Sequence, residues 1–183
     1  MPRRLPRPVL LSVVALVAAL VAGCGAASEP AAVAPQVDGA STVQLAFAPA
    51  EGKPIVMLEG LVNGGKPMPA DMASFNALPK QTLTVTEPFV KKSMTFTGVA
   101  FADLLNAAQA TGTSVTVHAL DDYEVTYKAA LLRDQGVLLA TRVDGKAIEV
   151  ASGGPVRMVF PGTSKAGKDT DLWVWSIDKI TVE

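Results

Sequence analysis

Sulfur and imidazole are nearly missing from this chain, whose 183 residues hold one cysteine and one histidine. One cysteine excludes an internal disulfide, and with His118 as the only histidine no metal site of two or more soft ligands is expected. The same shortage removes a Ser-His-Asp triad, because no nucleophile-elbow glycine pattern surrounds a serine, and phosphate-cradling glycine motifs are absent as well. Charge of one sign is lacking too. With 16 basic against 17 acidic residues and no basic patch, nucleic acid is excluded as a partner. Nor is there a long hydrophobic run: Val9 to Ala22 is apolar apart from Ser12, which is too short to span a bilayer comfortably.

That short run has the layout of a secretion signal. Arg3, Arg4 and Arg7 supply the positive start, and Leu-Pro after Arg3-Arg4 makes this an ordinary n-region rather than a twin-arginine signal. Val21-Ala22-Gly23-Cys24 then resembles the lipobox of bacterial lipoproteins. The resemblance implies cleavage before Cys24 and acylation of its sulfur, so that residues 1–23 are a signal peptide and the protein is anchored to the cell membrane on its extracytoplasmic side. Each buried CH2 of such a chain contributes about 0.8 kcal/mol, and two or three chains hold stably. Loss of the three leading arginines leaves 13 basic against 17 acidic residues, a formal charge of −4. Acylation would leave no thiolate for a metal or for redox chemistry. Residues 24–41 are rich in Ala, Pro and Ser without periodicity and read as a tether.

From Thr42 to Glu183 no linker or repeat interrupts the pattern, and a single domain, 42–183, is expected. Strands are predicted over 43–47, 55–62, 81–86, 94–97, 114–119, 124–127, 137–143, 147–150, 156–160 and 176–182. A loop covers 63–67 and a turn of helix 70–75. Phe101, Leu104, Leu105 and Ala108 share one helical face, with Gly112 as the stop. Asp144-Gly145 is a hairpin turn, since both residues tolerate positive φ. The fold class is α+β, mostly strand with few short helices.

The order of the pieces resembles the molybdopterin-binding domain of the sulfite oxidase family. The matching stretches are LEGLVNGGKPMPADMASFNALP (58–79), FTGVAFADLLNAA (96–108), DDYEVTY (121–127), VLLATRVDGKAIEVASGGPVRMVFP (137–161) and WVWSIDKITV (173–182). The resemblance implies mixed sheets with few helices. It also implies a cysteine after the Leu-Pro strand, whose thiolate would ligate molybdenum beside the pterin dithiolene. Residues 81–96, QTLTVTEPFVKKSMTF, contain none, and neither Glu87 nor Ser93 is an equivalent donor for a metal held by soft sulfur. The family's anion-binding histidines and arginines are also missing, and its Gly-x-Lys cofactor loop is reduced to Gly167-Lys168 within PGTSKAGKDTD.

Individual residues carry the remaining signals. Gly153-Gly154-Pro155 makes a turn into a buried strand. Alternation sets Arg157 and Val159 opposite Val156, Met158 and Phe160, and an arginine beside core positions needs a partner, for which Asp121, Asp122 and Asp178 are the candidates. Trp173 and Trp175 project to one face of an expected strand. Tyr123 falls where the resemblance implies a substrate pocket. The candidate ligand or cofactor contacts are therefore Tyr123, Gly153, Gly154, Arg157, Lys168 and Trp173, with no catalytic residue and with Cys24 as the lipidation site. The expected function is that of a binding or interaction module without bound cofactor, engaging an envelope protein or a small ligand. The alternatives are a divergent molybdopterin-dependent oxidoreductase, with backbone around Gly153 and Gly154 and Lys168 on the cofactor, and a small-ligand carrier using Tyr123, Trp173 and Trp175.

Overall fold

The computed structural model describes Leu45 and residues 47–183; the signal segment, Cys24 and the tether lie outside the described residues, as does most of the strand expected over 43–47. Leu45 and Phe47 form no strand but pack against the core. Ten strands and three short helices follow in the order β1 (Val56–Gly60), β2 (Met68–Ala70), α1 (Met72–Ala77), β3 (Lys80–Thr86), β4 (Ser93–Ala100), α2 (Phe101–Ala107), β5 (Ser114–Ala119), β6 (Glu124–Lys128), α3 (Ala129–Asp134), β7 (Leu138–Val143), β8 (Lys146–Ala147), β9 (Arg157–Val159) and β10 (Ile177–Val182). The α+β, mostly β class read from the pattern is what the structure has.

The strands form two five-stranded sheets. The first has the order β2-β1-β10-β5-β6, with β10 inserted parallel to β1 and antiparallel to β5. The second runs β3-β4-β7-β8, and β9 also pairs with β7. Alternation in β5 buries Val115 and Val117 and leaves Thr116 and His118 half covered, as expected where one face meets the core and the other meets water. β7 and β9 are buried along most or all of their length, so their apolar runs do not alternate. Both sheets feed one buried cluster that includes Leu58, Val117 and Ile180 of the first and Phe96, Leu139 and Met158 of the second.

Helix α1 is capped by a reciprocal pair: the Asp71 carboxylate accepts the Ser74 amide at 2.9 Å, while the Asp71 amide donates to the Ser74 hydroxyl at 3.1 Å. Hydrogen bonds from the Ser74 and Gly52 amides hold the Asp71 carboxyl down at about 2, against the upward push of burial. In α2 and at its C-cap the four residues assigned to one face, Phe101, Leu104, Leu105 and Ala108, are all fully buried.

Several expectations are corrected. Helix α2 ends at Ala107 and Gln109 takes positive φ, so Gly112 does not stop it; a Cβ on Gly112 would lie 2.3 Å from the Glu183 carbonyl oxygen, and close passage of the chain is what requires the glycine. The strand expected over 147–150 shrinks to Lys146–Ala147, because Val150–Ser152 turns as a 3-10 helix whose amides fold back on Glu149 and Val150. Trp173 and Trp175 lie in extended chain ahead of β10 rather than within a strand. The six-residue α3 was not anticipated at all.

Candidate functional site

Three segments converge on one pocket. The loop between β3 and β4 brings Phe89, the end of β5 and the turn after it bring Ala119, Asp121 and Tyr123, and the extended segment before β10 brings Trp173 and Trp175. The cavity they line measures about 190 Å³.

Backbone bonds tie these segments together. The Ser176 amide donates to the Gly153 carbonyl at 2.7 Å, and the Leu120 amide donates to the Ser176 carbonyl at 3.0 Å. Gly153 thus links the turn ahead of β9 to both walls of the pocket. Its φ of 84° lies in the left-handed region, and a Cβ there would come within 2.9 Å of the Trp175 ring. The Gly-Gly-Pro turn is a seat for Trp175.

Behind the pocket the loop after β3 is pinned by Glu87. Its Oε2 accepts the Phe89 and Val90 amides at 2.8 and 2.7 Å, and its Oε1 accepts Arg157 Nη2 at 2.9 Å. Both side chains of this ion pair are buried, with 2% and 6% of their surface exposed. Arg157 therefore pairs with Glu87, and not with Asp121, Asp122 or Asp178. Its guanidinium also lies 3.9 Å from the Trp175 ring centre and 5.3 Å from that of Phe96. Burial pulls the Arg157 guanidinium below its ordinary value, opposed by its hydrogen bond and charge attraction to Glu87.

The two tyrosine hydroxyls are tied to the backbone. Tyr123 donates its hydroxyl to the Asp171 carbonyl at 2.7 Å, and Tyr127 to the Leu172 carbonyl at 2.6 Å, where burial pushes the Tyr127 phenol up. Phe160 continues the aromatic layer between Tyr127 and Trp173, with ring centres 6.3 and 6.0 Å away. The indole nitrogens of Trp173 and Trp175 and Nε of Arg157 are buried without a partner. Outside the pocket His118 holds Asp178 at 2.7 Å on the half-covered face of the first sheet. Among the described residues no cluster of three or more His, Cys, Asp or Glu is placed to hold a metal ion.

Of the residues singled out from the sequence, Tyr123 and Trp173 meet in the cavity, while Gly153 and Arg157 support it from behind Trp175. Gly154 is pressed instead against the Ile148 carbonyl, 2.0 Å from where its Cβ would be. Lys168 is exposed in the turn Ala166–Lys168 and does not line the pocket. Glu87 and Phe89 were missed as site residues. A signal for Glu87 existed, since it follows Leu83 and Val85 at steps of two and so continues their inward face.

Similarity to known proteins agrees with this architecture. The family described as oxidoreductase molybdopterin binding domain matches residues 56–181. Among solved structures, the sulfane dehydrogenase SoxCD from Paracoccus pantotrophus aligns with a TM-score of 0.55 at 20% sequence identity, covering 69% of this chain. The alignment spans 37% of that chain, and at this identity it speaks for the fold. No curated protein matches.

Proposed function

The chain belongs to the oxidoreductase molybdopterin-binding domain family, and from that premise we propose that it is a membrane-anchored, extracytoplasmic binding module that has kept the fold and given up thiolate-ligated molybdenum chemistry. The observation that carries this reading is the buried Glu87–Arg157 pair at the end of β3. Residues 81–96 are where the family resemblance calls for the ligand cysteine, and at their centre stands a carboxylate already engaged by a guanidinium and two amides.

The residues present do not fit the family cofactor. Residues 25–183 contain no thiolate for molybdenum, and the pocket lining includes no cation to face a phosphate. The functional part of the site is a compact aromatic pocket held rigid by a buried ion pair and by the Gly153–Ser176–Leu120 backbone chain. Its lining is aromatic apart from Ala119 and the Asp121 carboxylate, which is the composition of a binding site.

Two experiments address the two halves of this proposal. Cells fed labelled palmitate are expected to label the wild-type protein and not Cys24→Ser, with the variant leaving the membrane fraction; an unlabelled wild type would remove the anchor from the account. Protein made in a cofactor-competent host is expected to show no dye-linked sulfite oxidation or sulfoxide reduction. Sustained turnover would contradict the binding-module reading.

A further inference from the structure

We infer that the pocket between Phe89, Tyr123, Trp173 and Trp175 is a site for a small alkylated ammonium ion, recognised by the ring faces and by the carboxylate of Asp121. The inference rests on the cofactor-free reading above. Its grounds are the shape, charge and polarity of the cavity.

Shape decides first between a flat and a rounded guest. The Phe89 and Trp175 rings meet edge to face, with centres 4.8 Å apart and planes inclined at 75°. At that separation the two rings are in contact and leave no slot between them for a planar heterocycle, so a guest lies against the aromatic surface that this contact leaves open. Tyr123 contributes a third ring, 42% exposed and fixed by its hydroxyl bond to Asp171, and Phe89 is 50% exposed.

Charge decides next between cation and anion. Arg157 lies behind Trp175, but Glu87 neutralises it at 2.9 Å. Asp121 is the one formally charged residue in the lining, and among the described residues no ion pair engages it. The unpartnered N–H groups of Trp173, Trp175 and Arg157 are sealed from solvent and offer a guest no donor, and with Arg157 over the Trp175 ring and Trp173 buried, the aromatic surface open to a guest is mainly that of Phe89 and Tyr123. Ring faces carry the negative end of the aromatic quadrupole, and together with one carboxylate they select a desolvated cation. A protonated primary amine could satisfy only part of its hydration at Asp121 while its other N–H groups faced rings without acceptors; alkylation lowers that penalty.

The test uses choline and its uncharged isostere 3,3-dimethyl-1-butanol, titrated into the full-length protein and followed by calorimetry and tryptophan fluorescence. Choline is expected to bind saturably and at least about tenfold more tightly than the isostere. Asp121→Asn is expected to weaken choline several-fold while leaving the isostere and the melting temperature little changed, and Tyr123→Leu is expected to weaken choline more than the isostere. Equal affinity for the two compounds, or no saturable response to choline, overturns the inference. So does choline binding that neither substitution weakens. Molybdenum and pterin content of the same preparation separates the two claims: cofactor present removes the underlying reading, whereas an apo protein indifferent to choline removes this inference alone.

Discussion

Glu87 and Arg157 lie 70 positions apart in sequence and 2.9 Å apart in space, and the site is organised around them. A buried pair of this kind is dear to break and cheap to replace as a whole, because removing one partner strands the other charge in a medium that cannot solvate it. Glu87→Ala or Arg157→Met alone is expected to lower unfolding free energy by about 3–5 kcal/mol in urea titrations, while a double substitution by apolar residues of similar volume costs far less. Strictly additive losses would mean that the pair is not coupled. The charged partner was not legible in the sequence. Asp121, Asp122 and Asp178 were equally acidic candidates, and pairing across two sheet segments leaves no local mark. What was legible was the need for a partner, because Arg157 stands beside core positions; β9 is buried along its whole length and Glu87 continues the Leu83 and Val85 face, a signal not used.

Elements divide by how much of their surface the core holds. Half-buried ones announced themselves: β5 alternates, and α2 repeats its apolar residues at helical spacing, so both were found within a residue of their ends. Short or fully buried ones did not. Helix α3 offers six residues, too few for a period to declare itself, and begins without a side-chain cap. β8 ends after two residues because the chain turns at Val150–Ser152 toward the Gly153 seat, a requirement set by Trp175 that the residues 147–150 do not show. The turn before β9 is therefore the element on which the pocket depends. Gly153→Ala is expected to cost about 1–2 kcal/mol for its left-handed backbone alone. Because the new Cβ would collide with the Trp175 ring, it is also expected to shift the tryptophan emission, and an unchanged spectrum would show that Trp175 does not rest there.

At the scale of the whole molecule, the order of motifs along the chain carried more information than any motif by itself. Leu-Pro before a strand, the Leu-Leu helix, Asp-Tyr, the Asp-Gly hairpin, Gly-Gly-Pro-x-Arg and the late tryptophans are separately ordinary, yet their succession is the record of a fold that the family match over residues 56–181 bears out. The pocket could not be read the same way. It draws on a β3–β4 loop, a β5–β6 turn and a segment before β10, and only the folding of two sheets onto one core brings them together. Gly-Gly-Pro-x-Arg marks that fold while its glycine and arginine now serve a tryptophan and a glutamate. The central claim is that this family member works without the family's metal. The most direct measurement is molybdenum by mass spectrometry together with pterin fluorescence on protein purified from its native envelope. The account predicts neither above background, and near-stoichiometric molybdenum with pterin would contradict it.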